Sequence, residues 1–379
     1  MGLYRSVLRP LLFRADAERV HGWAIRAGEL AASSHWLCST VAARQAPAGE
    51  RLAVTVGGLR FRTPIGLAAG FDKSARAAPF LAALGFGHVE VGSISAEASA
   101  GNPPPRLFRL PLDRAIVVNY GLPNDGAERV AQRLAAAQRP SVPLGINLVS
   151  TNRGAGAAPA SDDAVIADYL QSVQCLQAHA DYLCLNLSCP NTPDGRNFFH
   201  EPRRLQALLE SLDRLGLAKP LFLKVAPFAG AGDVEAFLAC VEPARCVSGF
   251  SVNLPSGKPG GLVTPAARLE RMPGAVSGRP AADRADRTLV ELYRRMDRAR
   301  YRLIGSGGVF SAEDAYRKIR LGASLVQLLT ALVYEGPAVV SCINRRLAGL
   351  LEADGFGHVG EAVGVDALNT RRAPIVRSD

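Results

Sequence analysis

The chain has 379 residues, of which 48% are apolar and 21% charged, and its formal net charge is +10. That length can bury a large core, and one α/β barrel takes about 250 residues, which leaves room for a single barrel with extensions. Scattered arginines argue against a nucleic-acid-binding face, the seven cysteines (38, 175, 184, 189, 240, 246 and 342) form no CxxC pair and no Cys/His spacing for zinc or iron–sulfur, and no run of about 18 apolar residues or signal peptide points to a bilayer span or to export.

Residues 1–45 read as helical, with apolar Leu3, Val7, Leu8, Leu11, Leu12, Val20, Trp23, Ile25 and Leu30 interleaved with Arg5, Arg9, Arg14, Arg19 and Arg26. A basic amphipathic segment of this kind suits an anionic membrane surface, and it equally suits a helical pair packed on the body of its own protein.

From residue 52 onward, short β-rich runs alternate with helical stretches, as parallel strands with crossover helices require. The expected strands are 64–70, 88–95, 144–150, 182–188, 220–226, 246–253, 301–307 and 323–330. Eight such strands close a (β/α)8 TIM barrel, here with an N-terminal helical extension. Two Gly- and Pro-rich insertions, 96–123 and 254–280, interrupt the alternation and read as irregular loops serving as lids or substrate walls. The segment 355–379 lacks strong periodicity and reads as a poorly ordered tail. The expected division is thus 1–45, a barrel over 46–354, and the tail.

Several runs end in a polar residue or glycine: Asn147, Asn186, Lys224, Asn253, Gly307 and Gly308. In such barrels the carboxyl ends of the strands carry the site. The GSGG run at 305–308 follows the seventh strand and precedes a helix start at Ser311, a setting in which backbone N–H groups can close on a phosphate. The run GASLVQLLT at 322–330 supplies the partner loop. Lys73 and Lys224 stand at or just past apolar strands and want anionic or strongly accepting partners; a reduced flavin is one, and a salt bridge to a barrel carboxylate is the other reading. In Asn186-Leu187-Ser188-Cys189-Pro190-Asn191-Thr192-Pro193, two amides flank a thiol that can act as a base or simply fill a small buried space.

These blocks resemble the dihydroorotate dehydrogenase family. GLAAGFDK, GFGHVEVGSIS, PRLFRL, LGIN, NLSCPNTP, SGRP, GSGGV and GASLVQ occur in the family's order between about residues 3 and 350, and YRSVLRPLLFRADAERVHGWAIRAGEL is similar to the extension of its membrane-associated, quinone-using class. The resemblance implies FMN-dependent oxidation of dihydroorotate to orotate in pyrimidine biosynthesis, with electrons passed to a quinone. It also implies peripheral attachment at the cytoplasmic face of the membrane through residues 1–45.

Position by position, Ala69, Gly70, Ser93, Asn147, Lys224, Gly278, Gly308 and Thr330 fall where the family contacts FMN, and Val252 and Leu329 take the places of polar or aromatic flavin neighbours. Lys73 and Asn186 would touch both flavin and substrate. Asn119, Tyr120, Gly121, Leu122, Asn191, Asn253 and Leu254 fall around the pyrimidine, and Cys189 at the base position. Cys at that position and Gly-Leu-Pro-Asn at 121–124 are traits of the soluble class, so the chain mixes features of the two. Val118 stands where the family has a substrate-binding Asn, and Leu254 replaces a hydroxyl residue. Those two replacements favour an alternative substrate, another cyclic or unsaturated carbonyl compound.

Overall fold

The computed structural model describes residues 2–45, 49–154, 156–158, 160–189 and 198–368. The amino-terminal segment is helical, as expected. A π-helical turn (Tyr4–Leu8) leads into α1 (Arg9–Leu12), α2 (Ala17–Ala32) and α3 (His35–Ala43). Asp16 caps α2 by accepting from the Arg19 amide, and Ser34 caps α3 by accepting from that of Leu37.

A two-stranded hairpin follows, β1 (Val54–Val56) and β2 (Leu59–Phe61), turning through Gly57 and Gly58 at φ +57° and +77°. Both glycines take the left-handed backbone that a two-residue hairpin turn demands. Val56 and Phe61 pack with Tyr182, Phe222 and Leu325 beneath the barrel, which closes its amino-terminal mouth.

All eight expected barrel strands are present: β3 (Ile65–Leu67), β4 (His88–Ile94), β7 (Leu144–Leu148), β8 (Tyr182–Asn186), β9 (Leu221–Val225), β10 (Val247–Val252), β12 (Arg302–Gly305) and β13 (Leu325–Leu328). They form one closed parallel barrel. Between and after them run α4 (Ala78–Ala83), α5 (Ala127–Ala136), α6 (Asp162–Leu176), α7 (Pro202–Leu215), α8 (Ala231–Val241), α10 (Ala282–Arg295), α11 (Ala312–Arg320), α12 (Thr330–Glu335) and α13 (Val339–Ala353).

Two expectations change. The insertions at 96–123 and 254–280 are not wholly irregular: β5 (Leu107–Leu110), β6 (Ala115–Val118) and β11 (Ala275–Gly278) pair as a three-stranded antiparallel sheet, with short helix α9 (Ala266–Glu270) beside it. Their alternation was hidden because Leu107–Leu110 and Ala115–Val118 are too short to declare a period of two.

The tail reading also fails for 355–368. Val359, Ala362 and Ala367 are buried, and Asp366 forms an ion pair of 2.7 Å with Arg320. That segment is held by a few anchor residues and has no periodic face, so pattern alone missed it. Residues 369–379 lie outside the described residues. Ending the chain at Asp354 should cost about 2–3 kcal/mol of stability through the lost Val and Ala burial and the ion pair. A urea midpoint equal to that of the full chain would contradict this packing.

Candidate active site at the carboxyl ends of the strands

Side chains alternate along each strand, so residues two apart share the barrel interior. Low in the barrel His88 meets the Phe61 ring edge to face at 5.4 Å, and burial drags its pKa down to about 3. Above it Glu90, fully buried, accepts from Asn147 Nδ2 at 3.0 Å, Tyr182 Oη at 3.1 Å and Gln327 Nε2 at 2.9 Å. At the top, Ser93 Oγ donates to Asn147 Oδ1 and accepts from Asn186 Nδ2, and Asn253 Nδ2 donates to Asn186 Oδ1 at 3.1 Å. The register pairs Asn186 with Lys224 on adjacent strands, which brings an amide and an ammonium side by side.

These groups floor a cavity of about 420 Å3 that runs from the strand ends to the amino-terminal helices. Its polar end includes Lys73, Ser93, Asn186, Cys189, Lys224 and Asn253, with Ala69, Gly70, Gly278, Gly308, Leu329 and Thr330 around the rim. Its other end is apolar, with Leu12, Phe13, Val20, Ile25, Phe80 and Val333. Tyr120, Gly121, Leu122 and Leu254 also line it.

Three expected residues stand elsewhere. Asn147 lies just beneath the floor and reaches the cavity through Ser93. Val252 is buried in the core, its carbonyl accepting from Ser306 Oγ. Asn119 Oδ1 accepts from Asn102 Nδ2 at 3.2 Å, while Val118, one residue earlier, faces the cavity. Asn191 lies outside the described residues.

The site also contains a group that sequence reasoning missed. His21 Nε2 stands 2.9 Å from Lys73 Nζ, and its ring meets Phe71 edge to face at 5.2 Å. Desolvation, with help from the Lys73 charge, lowers the His21 pKa to about 3, so the imidazole is neutral and accepts from the ammonium. A signal existed: Ala17, Val20, His21, Ala24, Ile25 and Gly28 fall on one helical face, and all six line the cavity. The larger apolar residues Trp23 and Leu30 diverted the reading, yet they face outward, 50% and 75% exposed.

Lys73 also lies over the Tyr120 ring, 4.0 Å from its centroid. Desolvation lowers its pKa to about 8, against the opposing pull of Glu18 and Asp72. Since the folded value lies below the unfolded one, holding this ammonium weakens the fold at neutral pH, and the penalty fades as pH rises from about 8 to 10.5. Arg106 fixes α2 by an ion pair of 2.8 Å to Glu18, and Arg109 fixes the preceding turn by donating to the Leu12 and Ala15 carbonyls at 3.2 and 3.0 Å.

The dihydroorotate dehydrogenase family model matches residues 51–351. A protein of Natronomonas pharaonis named dihydroorotate dehydrogenase (quinone) is 42% identical over 97% of this chain and 100% of its own length. One of Deinococcus deserti with the same name is 40% identical over 96% of this chain and 100% of its own. Among solved structures, the DHODH of Eimeria tenella in complex with ferulenol superimposes with a TM-score of 0.77 at 27% identity, covering 93% of this chain and 96% of that one. Matches that span both the barrel and the amino-terminal helices mean that the chain belongs to the dihydroorotate dehydrogenase family.

Proposed function

We propose that the protein oxidises dihydroorotate to orotate at a bound FMN, in pyrimidine biosynthesis, and delivers the electrons to a quinone. The observation that carries this reading is one continuous cavity with a polar end at the strand tips and an apolar end under the amino-terminal helices. A polar pyrimidine suits the first end and a quinone ring the second.

The residues present fit FMN. Lys224 is only 8% exposed, and among the described residues its ammonium has no hydrogen-bond or ion-pair partner. Buried polar groups of this kind call for a ligand. The rim glycines let the backbone pack closely at the cavity edge: a Cβ at Gly308 would come 2.5 Å from Ala282 Cβ, and one at Gly278 2.5 Å from the Arg114 carbonyl.

FMN supplies a two-electron acceptor for the hydride from substrate C6 and a route for those electrons to quinone. In this proposal Ala69, Gly70, Ser93, Lys224, Gly278, Gly308, Leu329 and Thr330 hold it, with Asn147 acting through Ser93. Lys224 balances negative charge on the ring. Cys189 takes the proton from C5. Lys73 pairs with the anionic pyrimidine, Asn186, Asn191 and Asn253 bind its amide edges, and Tyr120, Gly121, Leu122 and Leu254 wall it in. Asn119 is turned to Asn102, so Val118 leaves one side of the substrate without an amide partner, and recognition rests on the strand-tip asparagines.

Peripheral attachment at the cytoplasmic face of the membrane belongs to the same reading, with residues 1–45 as the attached segment. Leu3, Leu11, Leu30 and Trp36 on that segment are 56–75% exposed, and among the described residues no helix is long and apolar enough to cross a membrane. Cys38, Cys175, Cys184, Cys240, Cys246 and Cys342 form no disulfide among the described residues, which suits a reducing compartment.

Anaerobic dihydroorotate should bleach the bound flavin, and a short-chain quinone should restore its colour faster than fumarate. A flavin that stays oxidised under dihydroorotate would overturn the reading. Cys189→Ala should lower turnover by about 10²–10⁴, the usual worth of a positioned base, while Cys189→Ser should retain part of it with the pH profile moved upward; unchanged turnover in Cys189→Ala would remove the thiol from the chemistry. Because Lys73 loses its proton near pH 8 in the ligand-free site, orotate affinity should be level below that pH and fall by up to tenfold per pH unit above it. Lys73→Arg should move that limb upward, and spectral titration of the flavin band reads both.

A further inference from the structure

The polar floor of the cavity is a chain of hydrogen bonds with one direction, and something must set that direction. A carboxylate only accepts, whereas a side-chain amide can turn over and exchange donor for acceptor. Glu90, fully buried, therefore obliges Asn147 to present Nδ2 to it, at 3.0 Å. Asn147 Oδ1 is then left facing Ser93, whose hydroxyl must donate to it. The Ser93 oxygen is in turn left to accept from Asn186 Nδ2 at 3.2 Å.

From the far end, the Ser188 carbonyl accepts from Asn253 Nδ2 at 3.1 Å and the Leu254 amide donates to Asn253 Oδ1 at 2.9 Å. Backbone groups thus fix Asn253, and with it the acceptor face of Asn186. The orientations of Asn147 and of the Ser93 hydroxyl are decided from the other end, by Glu90, with the Cys184 thiol in contact with both Glu90 and Asn147.

We infer that Glu90, which does not line the cavity, is a positioning residue that sets the donor and acceptor polarity of the floor through Asn147 and Ser93. The inference rests on the reading that Ser93 and Asn147 serve bound FMN. With Asn147 reversed, Ser93 would accept from both amides and turn its proton into the cavity, exchanging an acceptor for a donor against the ligand. Glu90 Oε2 also accepts from Gln327 Nε2 at 2.9 Å, and this contact supplies a way to test direction separately from packing.

In Glu90→Gln, residues 90 and 327 form a pair of amides that can turn over together, so both orientations of Asn147 become available. In Glu90→Gln/Gln327→Glu, the new carboxylate accepts only; residue 90 must point its nitrogen at it and its oxygen at Asn147, which restores the original direction. Measured by return of flavin fluorescence, the FMN dissociation constant of the holoenzyme should rise about tenfold in Glu90→Gln, the worth of one misdirected buried hydrogen bond, with a shifted visible band. The double variant should return to within about threefold of wild type, a recovery that loss of packing would not produce. An unchanged dissociation constant and spectrum in Glu90→Gln, or no recovery in the double variant, would overturn the inference. Should Glu90→Gln fail to fold or hold flavin, recovery of both by the second substitution supports the inference and continued failure sinks it. Turnover of dihydroorotate by wild type is measured separately, so failure of the proposed reaction is distinguishable from failure of this role.

Discussion

Closing eight parallel strands on themselves sends every second side chain of each strand into one narrow interior. In this protein much of that interior is polar: Glu90, Asn147, Tyr182, Lys224, Ser251 and Gln327 are all buried. Polar groups taken out of water must find partners inside, and here the partners are stacked along the barrel axis. Glu90 gathers three donors in the middle, and its hold on Asn147 carries the network up to Ser93 and Asn186. Glu90 and its donors are thus satisfied at the centre, while His88 Nδ1, Ser251 Oγ and Gln327 Oε1 have no hydrogen-bond partner among the described residues, and Lys224 stands at the open end.

The charges at that end follow from the same constraint. Lys224 takes an inward position beside Asn186, and Lys73 reaches in from the loop after β3. His21 adds no third charge, because burial and the neighbouring ammonium keep it neutral down to about pH 3. It accepts from Lys73 instead and shields that ammonium from the apolar half of the cavity, where an unpaired cation would be poorly solvated. The Lys73 pKa of about 8 marks a cation that is retained at neutral pH only narrowly, so an anionic ligand at this end gains a partner already stripped of water.

The barrel was legible because its strands are nearly continuous apolar runs whose ends change abruptly to Asn, Lys or Gly, and that change marks the mouth of the barrel. Position within a run therefore placed Lys73, Asn186, Lys224 and Asn253 together before any contact was known. The departures have physical reasons. Asn119 and Val118 are adjacent on one extended segment, so their side chains face opposite ways, and register alone decides which meets the cavity. Sequence carries no direct sign of that register, since it is set by pairing of Val118 with Ala275 and Leu107 across a sheet assembled from two distant insertions. His21 was hidden for a different reason: a face of Ala, Gly and Val attracts less notice than Trp23 and Leu30 on the opposite side, although small residues are what close helix packing requires.

That asymmetry in α2 bears on the proposed membrane attachment. A Cβ at Gly28 would come 2.9 Å from Ala77 Cβ, so only small side chains let α2 lie this close over α4 and the strand ends. At Gly28 the face that closes the cavity has no room for bulk, and Trp23, Leu30 and Trp36 are left outside, 50%, 75% and 74% exposed. Apolar surface held in water costs about 25 cal/mol per Å2, and withdrawal into a lipid surface would relieve it without disturbing the packed face. Attachment would then set the apolar end of the cavity against the bilayer, the phase in which a quinone dissolves, while Arg106 and Arg109 hold α2 and its preceding turn in place over the polar end.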